Sequence, residues 1–439
     1  MIKQVFKSLL IIFLFACCNP KSNDRSLLTD TDVLHRNQHQ LTEVIIYDVF
    51  SPPVASRIYA YTSLAAYEAI RFGDKNYPSI TAQLNGFPVM PQPEKNKKYD
   101  FLLAATKSFF TVAEKVTFSI DTIRKYTGPL YAHFESLLDE ETFNNSIQFG
   151  DSIGKKILER VKVDNYQKTR GMAKNIGSTT AGKWRPTPPD YLDGAEPYWG
   201  QILCLAIDSA THFKAVPAPD FNKDTNSIFY KVAYEVYKTG KNLTEDQKLI
   251  ARYWDDNPFV LEHAGHMMFG NKKITPNGHW MGITTIACKM KKTSSVETAQ
   301  AYAITATAVY DGFINCWEEK FRNPLLRPIT AIQEYIDRSW QPLLQTPPFP
   351  EHTSGHSTIS AAAATVLTKR FGDNFAFEDT SDLAYIGMKR SFTSFMQAAL
   401  EASISRLYGG IHYRTGVEEG TRQGIKIGEF INQAIKLKE

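Results

Sequence analysis

The strongest constraint on the fold is a succession of long helical patterns with no strand pattern between them. In the last third of the chain, apolar residues recur at helical spacing over Val296–Lys320, from near Pro328, over Ser357–Arg370, over about 380–406 and over 415–437. Breaks between them carry stop and start signals: Arg322-Asn-Pro324, Gly409-Gly410, and Thr415 as the cap of the last run. Nowhere do apolar and polar residues alternate with the period of two that a half-buried strand needs. A chain of this kind must bury its helices against one another, which predicts an all-α protein of two adjoining helical bundles.

The first half follows the same rule with one exception. Residues 31–73 read as helix, broken at Pro52-Pro53, where Pro53 suits a new helix start. Further helices are predicted over 98–116, 120–138 and 141–169, then over 226–239 and 244–255, the last opened by the capping box Thr244-Glu-Asp-Gln247. Between them, residues 171–224 are rich in Gly, Pro and Trp. A loop of this length either covers a site as a lid or braces helices as a buttress. The division expected is an N-terminal helical region over 31–224 that includes this loop, and a C-terminal bundle over 225–439.

The N-terminus reads as an export signal. Lys3 and Lys7 precede a short apolar run ending Leu14-Phe15-Ala16-Cys17. Residues 1–16 are the expected signal peptide, and the resemblance to a bacterial lipobox makes Cys17 the lipidated residue. A polar tether follows over 17–30. The protein is thus expected as an exported bacterial lipoprotein, held at the outer membrane, on its periplasmic or surface side, only through its N-terminal lipid. Net charge is only +4, without a basic stripe, which argues against a nucleic-acid partner. Cys204, Cys288 and Cys316 are odd in number and widely spaced, and read as buried thiols.

Three short runs carry the chemistry. The first is Lys320-FRNPLL-Arg327-Pro328. The second is Thr353-Ser354-Gly355-His356, placed before an Ala-rich helix so that Ser354 and Gly355 sit at a helix N-terminus, where free amides and the dipole favour an anion. The third is Ser405-Arg406-LYG-Gly410-Ile411-His412, at the end of an apolar helix. Singly, these read as a surface pair, an ordinary cap and a glycine-rich turn. Together they supply three cations, a hydroxyl, a glycine amide and two imidazoles, the inventory for holding a tetrahedral oxyanion.

The set resembles the signature of the superfamily that joins vanadium-dependent haloperoxidases to type 2 phosphatidic acid phosphatases and bacterial acid phosphatases. Its pattern is K-x6-R-P, then P-S-G-H, then S-R-x3-G-x-H-x3-D. The chain departs from it twice, with Thr353 at the proline and Gly416 at the final aspartate. Trp317, three residues before Lys320, Asp311 upstream of it, and Phe349, five residues before Ser354, tilt the resemblance toward the haloperoxidases. It implies vanadate as cofactor, with hydrogen peroxide and a halide as partners. His412 would ligate vanadium; Lys320, Arg327 and Arg406 would neutralise its oxygens; Ser354 and Gly355 would hydrogen-bond them. His356 would be the acid–base group, Lys320 would polarise peroxide, and Trp317 and Phe349 would shape a halide pocket. Iodide or bromide is expected over chloride.

The alternative on the same pocket is a phosphomonoesterase working through a phosphohistidine at His412. A third reading is an oxyanion-binding lipoprotein whose catalysis decayed at Gly416. That glycine removes the group that orients His412, so Glu418, Glu419 or a backbone carbonyl is expected to substitute, and His412 to be slightly less basic than in the family. Asp311 and Asp255 (or Asp256) are expected behind the site, the latter as a partner of Arg406. His263 and His266, near Glu262 and His279, are spaced to share a helix face, in structural rather than metal-binding roles. His352 reads as a solvated loop residue.

Overall fold

The computed structural model describes residues 30–74, 77–264, 267–270 and 273–438. The expected signal peptide, Cys17 and all but the last residue of the tether lie outside the described residues. Helices α1 (Asp30–Tyr47) and α2 (Pro52–Ile70) are separated as the prolines require. Ser51 caps α2, its hydroxyl accepting from Val54 N–H, and Pro52 takes the first turn, where no amide partner is needed. Then come α3 (Phe101–Val116), α4 (Ile120–Leu137), α5 (Glu140–Val163) and the short α6 (Tyr166–Arg170). After the long loop come α7 (Ile228–Lys241) and α8 (Glu245–Tyr253), the latter with its full capping box.

Helix α9 (Pro276–Lys291) was not legible as a periodic run, although Thr275 caps it and Pro276 starts it. Helix α10 (Ser295–Arg322) is buried almost all round and forms the axis of the molecule, as a helix apolar on every face must. The chain closes with α11 (Pro328–Tyr335), α12 (Gly355–Phe371), α13 (Leu383–Ile386), α14 (Phe395–Tyr408) and α15 (Arg414–Ala434). Helix α10 packs on α2, α9 and α12, while α12 packs on α14 and α15. Apolar side chains from Leu34 to Ile435 join one continuous core. Among the described residues, no helix is long and apolar enough to cross a membrane.

The all-α fold is as expected, with two local departures from the sequence reading. Two hairpins occur, β1 (Leu261–Ala264) with β2 (Met267–Gly270), and β3 (Phe377–Asp379) with β4 (Arg390–Phe392). Strands of three or four residues are too short to show alternation. The run over 380–406 is therefore not one helix: Gly387, at φ +70°, ends α13 in a left-handed turn, and β4 intervenes before Ser394 caps α14. His263 lies in β1, so it does not share a helix face with His266, which is outside the described residues.

The closest helix contact is α12 against α15. Gly416, Gly420, Gly424 and Gly428 recur every fourth residue on one side of α15. A Cβ at Gly424 would lie 2.1 Å from the Thr358 carbonyl oxygen, and one at Gly428 would lie 2.5 Å from Thr365 Cβ. Only glycine permits this approach.

The loop over 171–224 is a buttress. Trp184 and Trp199 are buried, Trp184 N–H donates to the Pro324 carbonyl at 2.8 Å, and Ala195 N–H donates to the Pro348 carbonyl at 2.8 Å. The Asp311 carboxylate accepts the amides of Leu205, Ala206 and Ile207 at 2.7, 2.7 and 3.0 Å. Burial raises its pKa to about 6, with those amides pulling the other way. Asp311 thus anchors the loop; it does not face the anion-binding groups. The three cysteines are buried free thiols.

Candidate active site

Helix ends bring the three runs together. Lys320 is in the last turn of α10, Arg327 caps α11 ahead of Pro328, Ser354 caps α12, and Arg406 is in the last turn of α14. His412 lies in the tight turn between α14 and α15. All five are buried. Lys320 Nζ donates to the carbonyls of Pro350 at 2.9 Å, Glu351 at 3.1 Å and Thr353. Arg327 donates from Nε to the Phe349 carbonyl at 2.7 Å and from Nη1 to the Ile411 carbonyl at 2.8 Å. Arg406 donates to Ser405 Oγ at 2.9 Å and to the carbonyls of Trp254, Ala251 and Asp255.

These partners are carbonyls and a hydroxyl, not carboxylates, so three positive charges are buried without ion-pair partners. Such charge is costly unless an anion offsets it. Burial first, with Arg327 adding to it, pushes Lys320 down to about 7. Burial likewise pulls Arg327 and Arg406 down to about 10, against the pull of Glu351 and Asp255 respectively. Arg327 Nη2 and His356 Nε2 are buried and without partners. His356 is half-buried and lines the cavity described below. Burial, then Arg406, holds its pKa well below the ordinary value. Its ring hydrogen-bonds the Asp255 backbone carbonyl, leaving Nε2 for a guest.

Of these groups, His356 and Arg406 border a cavity of about 30 Å³, whose lining also includes Gly355, His412, Trp317 and Phe349. That volume exceeds what one water needs. The Trp317 and Phe349 rings meet at 4.9 Å between centroids, and Lys320 Nζ lies 5.6 and 5.1 Å from them. They form an aromatic wall that keeps water from the ammonium. A Cβ at Gly355 would lie 3.3 Å from the Trp317 ring, so glycine keeps the helix start close to that wall.

His412 has a defined tautomer. Tyr413 N–H donates to Glu351 Oε1 at 3.1 Å, so that oxygen is an acceptor, and His412 Nδ1 lies 2.8 Å from it. Arg327 Nη1, a donor, lies 3.0 Å from His412 Nε2. Nδ1 therefore carries the hydrogen and Nε2 presents its lone pair. Burial, then Arg327, Lys320 and Arg406, holds the imidazole well below its ordinary pKa. Burial raises Glu351 to about 7, with Lys320 and Arg327 opposing.

A family profile described as the VCPO second helical-bundle domain matches residues 300–437. A solved bacterial vanadium-dependent iodoperoxidase is 42% identical, with a TM-score of 0.88 over 93% of this chain and 97% of that one. The chain belongs to the vanadium-dependent haloperoxidase family. Holo and apo structures of a bacterial vanadium-dependent chloroperoxidase share the fold, at TM-scores of 0.68 and 0.67 and 17% identity. They cover 88% of this chain, and 93% and 95% of those chains. No curated protein matches.

Surplus buried cations, the unpartnered Arg327 Nη2 and His356 Nε2, and an imidazole Nε2 engaged by the Arg327 guanidinium suit the vanadate of a vanadium haloperoxidase. Several expectations around this site are corrected. Neither Glu418 nor Glu419 reaches His412: Glu418 pairs with Arg422, and Glu419 pairs with Arg422 and accepts from Val216 N–H.

 The carboxylate beside His412 comes instead from Glu351. Asp255 meets Arg406 only through its backbone carbonyl, while its carboxylate pairs with Lys273. His352 is buried, with Nε2 3.0 Å from the Val216 carbonyl, and burial lowers its pKa to about 4. Thr353, at the family's proline, donates its hydroxyl to Gln423 Oε1 at 2.7 Å and so ties the loop to α15. Glu351 was missed in the sequence; an acidic residue three positions before Ser354, in a chain with Gly416 at the usual aspartate, was the signal available.

Proposed function

We propose that this chain is a vanadate-dependent haloperoxidase that oxidises iodide or bromide with hydrogen peroxide. The observation that carries this reading is the gathering of Lys320, Arg327 and Arg406, buried without carboxylate partners among the described residues, around His412 and His356, which with Arg406 line one cavity. When bound there, vanadate supplies a Lewis-acid centre that activates hydrogen peroxide toward halide. The net reaction converts peroxide, halide and one proton into hypohalous acid and water.

In this reading His412 offers its Nε2 lone pair to vanadium, and the three cations offset the oxygens' charge. The Ser354 hydroxyl and the Gly355 amide, at the α12 N-terminus, donate to those oxygens. His356 takes up and returns a proton at Nε2. Lys320, against the aromatic wall, adds positive charge where peroxide is activated. Trp317 and Phe349 exclude water and form the surface that meets halide. The preference for iodide or bromide rests on the 42% identical iodoperoxidase; small differences in pocket polarity separate halides.

The test is reconstitution of the purified protein with orthovanadate, followed by assays of iodide, bromide and chloride oxidation beside p-nitrophenyl phosphate hydrolysis. Vanadate-dependent oxidation of iodide or bromide is expected. Hydrolysis that vanadate inhibits, without halide oxidation, would establish a phosphatase instead. We also propose export and lipidation at Cys17, supported by the Leu14-Phe15-Ala16-Cys17 run. Labelled palmitate should enter the wild-type chain in a bacterial host and not the Cys17→Ser variant.

A further inference from the structure

We infer that Glu351 is the positioning residue that sets the tautomer and orientation of His412, and that Gly416 is the space its carboxylate requires. This rests on the reading of His412 as the vanadium ligand and deepens it. The two positions are linked by geometry. A Cβ built at Gly416 would lie 2.2 Å from Glu351 Oε1, 2.9 Å from its Cδ and 3.0 Å from Oε2. Any side chain at 416 would therefore collide with the Glu351 carboxylate. An aspartate at 416 and a glutamate at 351, in its present rotamer, exclude each other.

The carboxylate is held from several sides. Glu351 N–H donates to the Leu325 carbonyl at 3.1 Å, and the Glu351 carbonyl accepts from Lys320 Nζ. Gly416 takes part through its backbone, its carbonyl accepting Ser354 N–H at 2.9 Å. The segment that carries Glu351 is thereby tied to α10, to α12 and to the start of α15. Oε1 accepts from both Tyr413 N–H and His412 Nδ1, while Oε2 is buried without a partner. Any proton on the carboxyl group belongs on Oε2, so Oε1 stays an acceptor and Nδ1–H stays the donor.

On the far side of the ring, Arg327 donates toward Nε2. Glu351 and Arg327 thus specify the same tautomer from opposite edges, leaving the hydrogen on Nδ1 and the lone pair on Nε2. The apparent defect at Gly416 is one half of an exchange in which the carboxylate has moved from the first turn of α15 to the loop before Ser354. Partners of this kind characteristically affect metal affinity by about 10- to 100-fold.

The test uses the full chain, stripped of vanadate, with orthovanadate binding followed by calorimetry and the His412 tautomer read from long-range 1H–15N correlations. Wild type should show the Nδ1–H tautomer. Glu351→Ala should lose vanadate affinity by about 10- to 100-fold, and Glu351→Gln, which keeps an acceptor, should lose less. Gly416→Asp alone should lower affinity, whereas Glu351→Ala/Gly416→Asp should recover most of it. An Nε2–H tautomer in the wild-type chain, which needs no variant to fold, overturns the inference. So does unchanged vanadate affinity in Glu351→Ala. A wild-type chain that binds no vanadate overturns the functional reading as well, which separates the two failures.

Discussion

His412 and His279 are both buried histidines set among charges, and their surroundings have opposite sign. His279, on α9, has Nδ1 3.0 Å from Asp256 and Nε2 2.9 Å from Asp379, with Asp382 at 3.6 Å. Its ring stacks on Trp254 at 4.4 Å. Burial opposes its charge, but the three aspartates outweigh this and raise its pKa well above the ordinary value. Both ring nitrogens are spent on carboxylates, so the cluster is an imidazolium closed by its own counter-ions. His412 sits instead among three cations and one carboxylate, with Nε2 beside the Arg327 guanidinium and the residue lining a cavity. Buried charge matched within the protein holds the fold together. Buried charge in surplus reserves a place for something the protein must bind.

The largest effects should separate these roles. His412→Ala should lose vanadate binding and halide oxidation together. His356→Ala should keep vanadate and lose about 10²- to 10⁴-fold in turnover, as expected for removal of an acid–base group. Binding isotherms and steady-state rates check both, and neither variant should lower the melting temperature greatly.

His279→Ala should act in the opposite way. It leaves buried carboxylates uncompensated, which costs about 3–5 kcal/mol, visible in urea unfolding of the vanadate-free protein. The pH dependence follows from the raised pKa. The folded state holds its proton more tightly than the unfolded state, so the contribution is complete below about pH 6.5 and fades as pH rises through the folded value. Asp382, also raised, chiefly by burial and then by Asp256, works in the same direction. The stability gap between wild type and His279→Ala should therefore be wider at pH 6 than at pH 9. A gap that widens with pH would break the comparison.

Lys320→Met should show the most telling sign. Removing an uncompensated buried cation is expected to leave the vanadate-free protein unchanged or more stable, by up to about 4 kcal/mol, while halide oxidation is lost. A clear loss of stability would mean that Lys320 is a structural charge like His279. Its three carbonyl partners would then matter more than its surplus charge.

Much of the site was visible in the sequence because its groups lie at helix ends. Pro328 after Arg327, Ser354 before an Ala-rich run and Gly409-Gly410 after Arg406 mark those ends directly. What stayed hidden depends on how distant segments meet. Nothing near Asp311 reveals that its carboxylate accepts three amides about a hundred residues upstream. Nothing near Asp255 reveals that Lys273 takes its carboxylate and leaves only a carbonyl for Arg406. Glu351 meets His412 only because α15 approaches α12 so closely. The hairpins escaped notice for a different reason, since three or four residues hold no readable period.

The glycine row on α15 has a consequence beyond packing. Gly416 at one end touches the Glu351 carboxylate, and Gly420, Gly424 and Gly428 continue the same contact along α12. The row works as a zipper whose first tooth lies against the carboxylate that partners His412. Enlarging a tooth far from the chemistry, as in Gly428→Ala, would wedge the helices apart and lengthen the reach from Glu351 to His412. The distance between two helix axes is thus a setting of the enzyme, adjustable from residues that never approach the substrate.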